Sequence, residues 1–334
     1  MMPGDAADDR VAHLDGGHEM QHSPSEVASR PMTEVTLLGS EQVRLQRILI
    51  LILTVVPFVG TVVAIGLLWG RGIGQTDLLI LVLSYLLSGL GITVGFHRLF
   101  AHRSFEARGP LRLALAVAGT TSLEGSLVSW VAAHRRHHAY SDRVGDPHSP
   151  HLEEEEGVRG ILKGLWHAHA GWLFDAEKSS RGRWAPDLLK DPALVRIDRH
   201  WPMIGAVSLV VVAAAGFVAQ GTWRGALTAL LWGGPVRIFL VHHVTWSVNS
   251  ICHFYGARPF RTNDHSANNW LLALPSLGES WHNNHHAFPT SARHGLGPGQ
   301  IDVSAAVISA LERVRFARRV KRPSGEQLMS RRRL

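Results

Sequence analysis

Apolar residues in this chain gather in blocks separated by strongly polar stretches. Ile48 to Trp69 is an uncharged run of 22 residues. At about 1.5 Å per residue, a helix of that length crosses the roughly 30 Å hydrocarbon core of a bilayer. Pro57 lies inside the run and predicts a kink rather than a break, because packed neighbours can satisfy the backbone groups it frees. After the turn Gly70–Thr76, a second run from Leu78 to Phe96 returns and delivers His97. A third span covers Trp201 to Gln220, and a fourth runs over about 225–246 into Asn249 and His253. The long loop between the second and third spans is polar and basic except for Leu111 to Trp130, which is apolar, rich in small residues and holds Glu124. One re-entrant or interfacial helix is predicted there.

The pattern therefore predicts an all-α integral membrane protein with four transmembrane helices. Residues 1–46 lack a sustained apolar period and predict a disordered tail. The folded domain is expected over 47–316, followed by a basic tail at 317–334. The first apolar run starts late and is too long for the core of a signal peptide.

Composition and charge refine this picture. The 334 residues carry a formal net charge of +7, with a pI near 10.3 and a mean hydropathy of +0.04. Nucleic acid is not the expected partner, since no groove-reading motif is present and the basic residues flank apolar spans. The turns Gly70–Thr76 and Gly221–Arg224 hold one Arg each, whereas residues 97–200 hold fifteen Lys or Arg and the segment after 246 holds twelve. That bias places both termini and the large loop on the cytoplasmic side. Cys252 is the only cysteine, which excludes an intrachain disulfide and a cysteine-based metal site. It is expected to be a small packed residue beside His253.

The candidate chemistry lies in the 21 histidines. His282, His285 and His286 recur at i, i+3 and i+4, on one face of a helix. His134, His137 and His138 repeat that spacing, and His97 and His102 stand where the second span ends. Two spans separate the first two groups from the third, so all three return to one side of the membrane. Imidazoles converging in this way suit a transition metal. Eight are too many for one ion, which points to a pair: a dinuclear iron centre for O2 activation, or a structural zinc pair. In an α-helix i and i+5 differ by about 140°, so His97 and His102 should diverge, with the helix ending near them or the two serving different metals. Arg237, His242 and His243 are ionisable groups in or near the fourth span, which implies that they face a polar cavity. Asp142, Asp146 and Glu279 are candidates to orient the imidazoles, although each reads more simply as a surface or capping residue. His148 reads as structural, while His167, His169, His200, His265 and His294 read as satisfied core or surface histidines.

The segments His97-Arg98-Leu99-Phe100-Ala101-His102, His134-Arg135-Arg136-His137-His138 and His282-Asn283-Asn284-His285-His286 resemble the three histidine boxes of the membrane-bound fatty acyl-CoA desaturase family. Thr245-Trp246-Ser247-Val248-Asn249-Ser250-Ile251-Cys252-His253 resembles the family's T-W-x-V-N-S-x-x-H segment. Asp146-Pro147-His148, Gly171-Trp172-Leu173 and Gly256-Ala257-Arg258-Pro259 match further. The resemblance runs from about residue 48 to 315. It implies four transmembrane helices under a cytosolic helical cap, with a bent apolar tunnel for the acyl chain. It also implies two iron ions held by His97, His102, His134, His137, His138, His253, His282, His285 and His286, with Asn249 acting through a bound water.

The implied reaction is O2-dependent desaturation of a long-chain acyl thioester, with acyl-CoA at delta-9 as the expectation. An acyl-lipid desaturase and an alkane or fatty-acid hydroxylase are the alternatives. Electrons would come from a separate ferredoxin-type or flavin reductase donor, fed by NADPH, at the plasma membrane of a bacterium. The resemblance departs at Ala132 and Ala133, where animal members carry an Arg-Asp pair that helps hold CoA. It departs again at Asp175, Ala176 and Glu177, where basic residues follow the G-W-L segment. A CoA carrier would then need other cations, for which Arg135, Arg136, Lys178 and Arg183 are the candidates.

Overall fold

In a computed structural model, which describes residues 34–152 and 155–333, helices dominate. Strand β1 (Val35–Leu37) leads into α1 (Ser40–Arg71), and α2 (Gln75–Leu90) continues as a π-helix over Gly91–Ala101. There follow β2 (Glu106–Ala107), α3 (Gly109–Thr120), α4 (Leu127–Tyr140), α5 (Gly157–His169) and β3 (Glu177–Ser179). Three short helices, α6 (Arg181–Trp184), α7 (Pro186–Leu189) and α8 (Pro192–Arg199), lead to α9 (Trp201–Gln220). Helix α10 (Trp223–Leu231) runs through a π-turn at Trp232–Val236 into α11 (Arg237–Ser250). The chain ends with α12 (His282–Ala287), α13 (Val303–Arg313), β4 (Ala317–Arg318) and α14 (Gly325–Arg331).

Among the described residues, four helical stretches are long and apolar enough to cross a membrane: Ser40–Gly70, Gln75–Ala101, Trp201–Gln220 and Trp223–His253. The first and third bury only 11% and 17% of their apolar windows against protein, and the fourth 61%. The fourth is thus the inner helix, and the first and third offer their side chains to lipid. Small residues allow the close approach that packing in lipid requires. A Cβ on Gly60 would lie 2.4 Å from the Pro235 Cβ, and one on Gly216 would lie 2.2 Å from the Ala229 Cβ. Pro235 sits in the π-turn, one way a helix absorbs a residue that cannot donate.

The cap core lies between the π-helix, α3, α4, α8 and α13, around Phe96, Leu127, Val131, Leu194 and Ile308. Each such side chain contributes about 2 to 3 kcal/mol by leaving water. The π-helix is pressed directly against the α3 backbone. A Cβ on Gly91 would meet the Gly119 nitrogen at 2.1 Å, and one on Gly95 the Leu115 carbonyl oxygen at 2.9 Å.

Several expectations change. The apolar stretch 111–130 is not one helix, because the chain turns at 121–126 and α4 starts afresh, aiming its histidines at the interior. Part of the N-terminal stretch 1–46 is ordered: Val35 pairs with Ser179 in an antiparallel β1–β3 ladder, and α1 begins at Ser40. Residues 1–33 lie outside the described residues. The segment 317–334 also folds back, pairing β4 with β2 and forming a bridge between Phe260 and Arg332. Backbone groups of Glu106 and Phe260 that would otherwise lack strand partners find them there.

Candidate metal centre

The three boxes and His253 come together as two adjacent clusters. His97, His102, His134, His138 and His285 form one, and His137, His253, His282 and His286 the other. Within each, the ligand atoms lie within 4.8 Å of one another. His97 and His102 do not diverge. The π-helix closes its hydrogen bonds from i to i+5, the His102 N–H donating to the His97 carbonyl at 3.0 Å. Residue i+5 therefore sits over residue i, and the two rings are 4.8 Å apart in one cluster.

Outer carboxylates set the orientation of four imidazoles. Glu279 faces His97 Nδ1 at 2.6 Å, Asp146 faces His137 Nδ1 at 2.9 Å, Asp142 faces His253 Nδ1 at 2.9 Å, and Asp264 faces His286 Nδ1 at 2.7 Å. A proton held on Nδ1 by a carboxylate leaves the Nε2 lone pair directed inward. The reading of Asp142, Asp146 and Glu279 as surface or capping residues is thus corrected, for all three side chains are buried against histidines. Burial opposes ionisation of Asp146 and Asp264, but their imidazole partners outweigh it and hold both well below the usual carboxylate range.

Arg98, fully buried, binds Glu279 at 3.1 Å and Asp302 at 3.0 Å. His294 completes this side. It is buried, approaches Glu279 at 3.2 Å, and its ring lies 4.4 Å from that of His285. Its reading as a satisfied core histidine does not hold: among the described residues its buried Nε2 has no hydrogen-bond partner, and the ring packs on the cluster beside Glu279, the carboxylate that faces His97.

The inner nitrogens fit a cation better than one another. His285 Nε2 lies 3.1 Å from His97 Nε2 and 2.9 Å from His138 Nε2. His282 Nε2 lies 3.0 Å from His253 Nε2 and 3.1 Å from His286 Nε2. A single ring proton cannot satisfy two such neighbours, whereas a metal accepts all the lone pairs. His137 Nε2 is buried with no hydrogen-bond partner in the protein, as expected of an atom reserved for a ligand bond. Burial, and then the neighbouring imidazoles, hold His134, His138, His282 and His285 well below the ordinary histidine value. These rings are therefore neutral and able to bind metal.

An apolar cavity of about 50 Å³ leads away from the clusters, lined by Tyr85, Gly89, Ile92, Val241, Val244 and Leu277 among others. It reaches His97, His134 and His282, with Asn249 in its wall. Trp130 stacks on His134 with ring centres 5.1 Å apart and donates through Nε1 to Glu124 at 3.0 Å. The ionisable groups of the fourth span are tied to the protein rather than exposed to a polar cavity. Arg237 donates to Ser88 at 2.7 Å and to the Thr121 carbonyl, His242 meets the Ser122 carbonyl at 2.9 Å, and His243 pairs with His169 at 3.0 Å.

Two of the proposed CoA anchors are likewise engaged. Arg135 forms a two-pronged contact with Asp187 at 2.6 and 3.0 Å, and Arg136 pairs with Glu177 at 2.6 Å. Cys252 is buried, as expected. Asp264 and Trp130 are the contributors that the sequence reading missed. Asp264 lies 22 residues before its partner His286, and no local spacing flags it.

Spans, cap and clusters define a helical membrane protein whose histidine-rich, metal-suited site meets an apolar cavity. A fatty acid desaturase family model matches residues 76–300. The chain belongs to the fatty acid desaturase family. It is similar to the hex-5-enoyl-[acyl-carrier protein] acetylenase of Moorena producens (strain JHB), 42% identical over 279 residues, or 83% of this chain and 87% of that one. An acyl-CoA C20 Delta5-desaturase of Anemone leveillei is 40% identical over 238 residues, 70% of each chain. An sn-1 stearoyl-lipid 9-desaturase of Anabaena variabilis is 36% identical over 244 residues, 72% of this chain and 82% of the other.

Proposed function

We propose that this protein catalyses O2-dependent desaturation of a long-chain saturated acyl thioester, acyl-CoA at delta-9, to a cis-monounsaturated product. The observation that carries the reading is the apolar cavity running up to both histidine clusters. Two iron ions would be held by the nine histidines, with Asn249 acting through a bound water. The iron pair, when bound, supplies the O2 activation and hydrogen removal that no side chain can perform.

The protein's own contribution is positioning. Val241, Val244 and Leu277 exclude water and fix the chain, so that its place in the cavity decides which carbons lie beside His97, His134 and His282. Asp142, Asp146, Asp264 and Glu279 keep the imidazoles turned inward. Two electrons come from the substrate and two from a separate ferredoxin- or flavin-type donor, which together reduce O2 to two waters. The positive bias of the site-bearing loops supports a cytoplasmic site and termini at a bacterial plasma membrane.

The carrier has a second reading. Arg135 and Arg136 are neutralised by Asp187 and Glu177, which favours an acyl lipid, a substrate with no CoA phosphates to bind. The names of the similar proteins divide among carrier-protein, CoA and lipid substrates.

Expression with a reductase in a host lacking the activity, followed by fatty-acid profiling with double-bond location, tests the proposal. A new cis-monounsaturated acid that disappears in His285→Ala supports it, and lipid-class analysis assigns the carrier. A hydroxylated product, or none despite bound iron and a working donor, refutes it.

A further inference from the structure

The histidine clusters approach the surface at a second place. His138 and His286, one from each cluster, lie at a polar, solvent-open pocket of about 350 Å³ whose rim carries Arg143, Arg261 and Arg331. All three arginines are exposed. Arg143 donates to the Ala139 carbonyl at 2.9 Å, Arg261 to the Ser330 carbonyl, and Arg331 to the Ala287 carbonyl. Among the described residues no carboxylate pairs with any of them, in contrast to Arg135 and Arg136. Asp264, the acid in the pocket, is already bound to His286 and Ser266. A positive rim therefore surrounds the edges of two imidazoles.

This pocket and the apolar cavity share no lining residue. A carrier head group seated at the arginines would lie apart from the residues that line the apolar cavity. A charged protein that only needs to come near the ligands has no need to reach that cavity.

We propose that the arginine-rimmed pocket over His138 and His286 is the docking surface for an acidic one-electron redox protein. The proposal rests on the desaturase reading above, which requires external electrons. Each docking moves one electron, the donor being oxidised by one and the metal pair reduced by one. Two dockings supply the two electrons that the substrate does not. Opposite charge accelerates such encounters and makes them sensitive to salt.

The test uses the iron-loaded full-length protein in lipid nanodiscs, with a reduced two-iron, two-sulfur ferredoxin as the probe, its oxidation followed by stopped-flow absorbance. Arg143→Glu and Arg261→Glu should each raise the ferredoxin KM roughly tenfold and flatten its salt dependence, with the acyl-substrate KM unchanged. Arg224→Glu, at the far end of the fourth span, should alter neither. Unchanged ferredoxin kinetics in both pocket variants overturns the proposal. A raised acyl-substrate KM with normal ferredoxin kinetics also overturns it and makes the pocket a head-group site. Wild-type protein that binds iron but neither oxidises ferredoxin nor forms product refutes the desaturase reading itself, and the docking proposal with it.

Discussion

Glu124 gives a quantitative handle on the surroundings of Trp130, which lines the apolar cavity. It lies in the turn between α3 and α4, with Oε2 accepting from Trp130 and Oε1 buried without a partner. Burial pushes its pKa up from 4.5 to about 7, against the lowering effect of its hydrogen bond from Trp130. The folded protein thus keeps the proton over a range in which the unfolded chain has lost it. Stability from this group is fully present below pH 4.5, declines as pH rises, and is gone above pH 7. The shift corresponds to about 3 kcal/mol in full.

Glu124→Gln keeps a neutral acceptor for Trp130 and does not titrate, so it lacks this decline. Relative to wild type, the variant should gain about 2 to 3 kcal/mol between pH 5 and pH 8. An unfolding entropy of about 2.1 cal/mol/K per residue converts that to roughly 4 °C for a chain of this size. The assay is thermal melting of iron-loaded protein in detergent at both pH values. The readout is the change in the Tm difference between the two proteins, which cancels any pH-independent cost of the amide. Parallel Tm profiles from pH 5 to pH 8 would refute the assignment of Glu124 as a neutral buried acid.

Asp264→Asn removes the carboxylate from His286 Nδ1 and should weaken metal binding about 10- to 100-fold, measured by chelator competition, with circular dichroism unchanged. Gly89 lines the cavity, where even a Cβ would touch Leu277 Cδ1 at 3.0 Å. Gly89→Leu should therefore shift products toward shorter chains in gas chromatography–mass spectrometry, and an unchanged chain-length profile would show that the acyl chain runs elsewhere. Gly91→Ala places a Cβ on the α3 backbone and should cost about 1 to 3 kcal/mol or more, read as a lower Tm in detergent.

The spans were legible because hydropathy is a property of contiguous sequence, and lipid imposes one length on every crossing. The boxes were legible because i, i+3, i+4 spacing directs imidazoles from a single helix. Of the carboxylates, Asp142, Asp146 and Glu279 were legible as candidates but their partners were not, and Asp264 was missed. Asp264 reaches His286 from 22 residues away and Glu279 reaches His97 across 182 residues of chain, and nothing local marks an acid as the partner of a histidine in another element. Leu111 to Trp130 misled for a related reason. Its two ends are apolar but 119–126 is mostly small and polar, and the turn at 121–126 within that run is held by contacts from the Thr121 carbonyl to Arg237, the Ser122 carbonyl to His242 and Glu124 to Trp130.

The π-helix shows how a local rule can mislead while the global pattern holds. His97 and His102 are five apart, a spacing that an α-helix sends to different faces and a π-helix stacks. Gly91 and Gly95, four apart, let this segment lie against the α3 backbone, where wider winding is compatible with close packing. The same pair of residues then feeds one cluster. A conventional α-helix through 91–101 would turn His102 away from His134, which it now meets at 2.7 Å, and would leave the five-histidine cluster one ligand short. The helix type in this stretch therefore belongs to the histidine cluster as much as to the fold, and Gly91 and Gly95 let that helix lie directly on the α3 backbone.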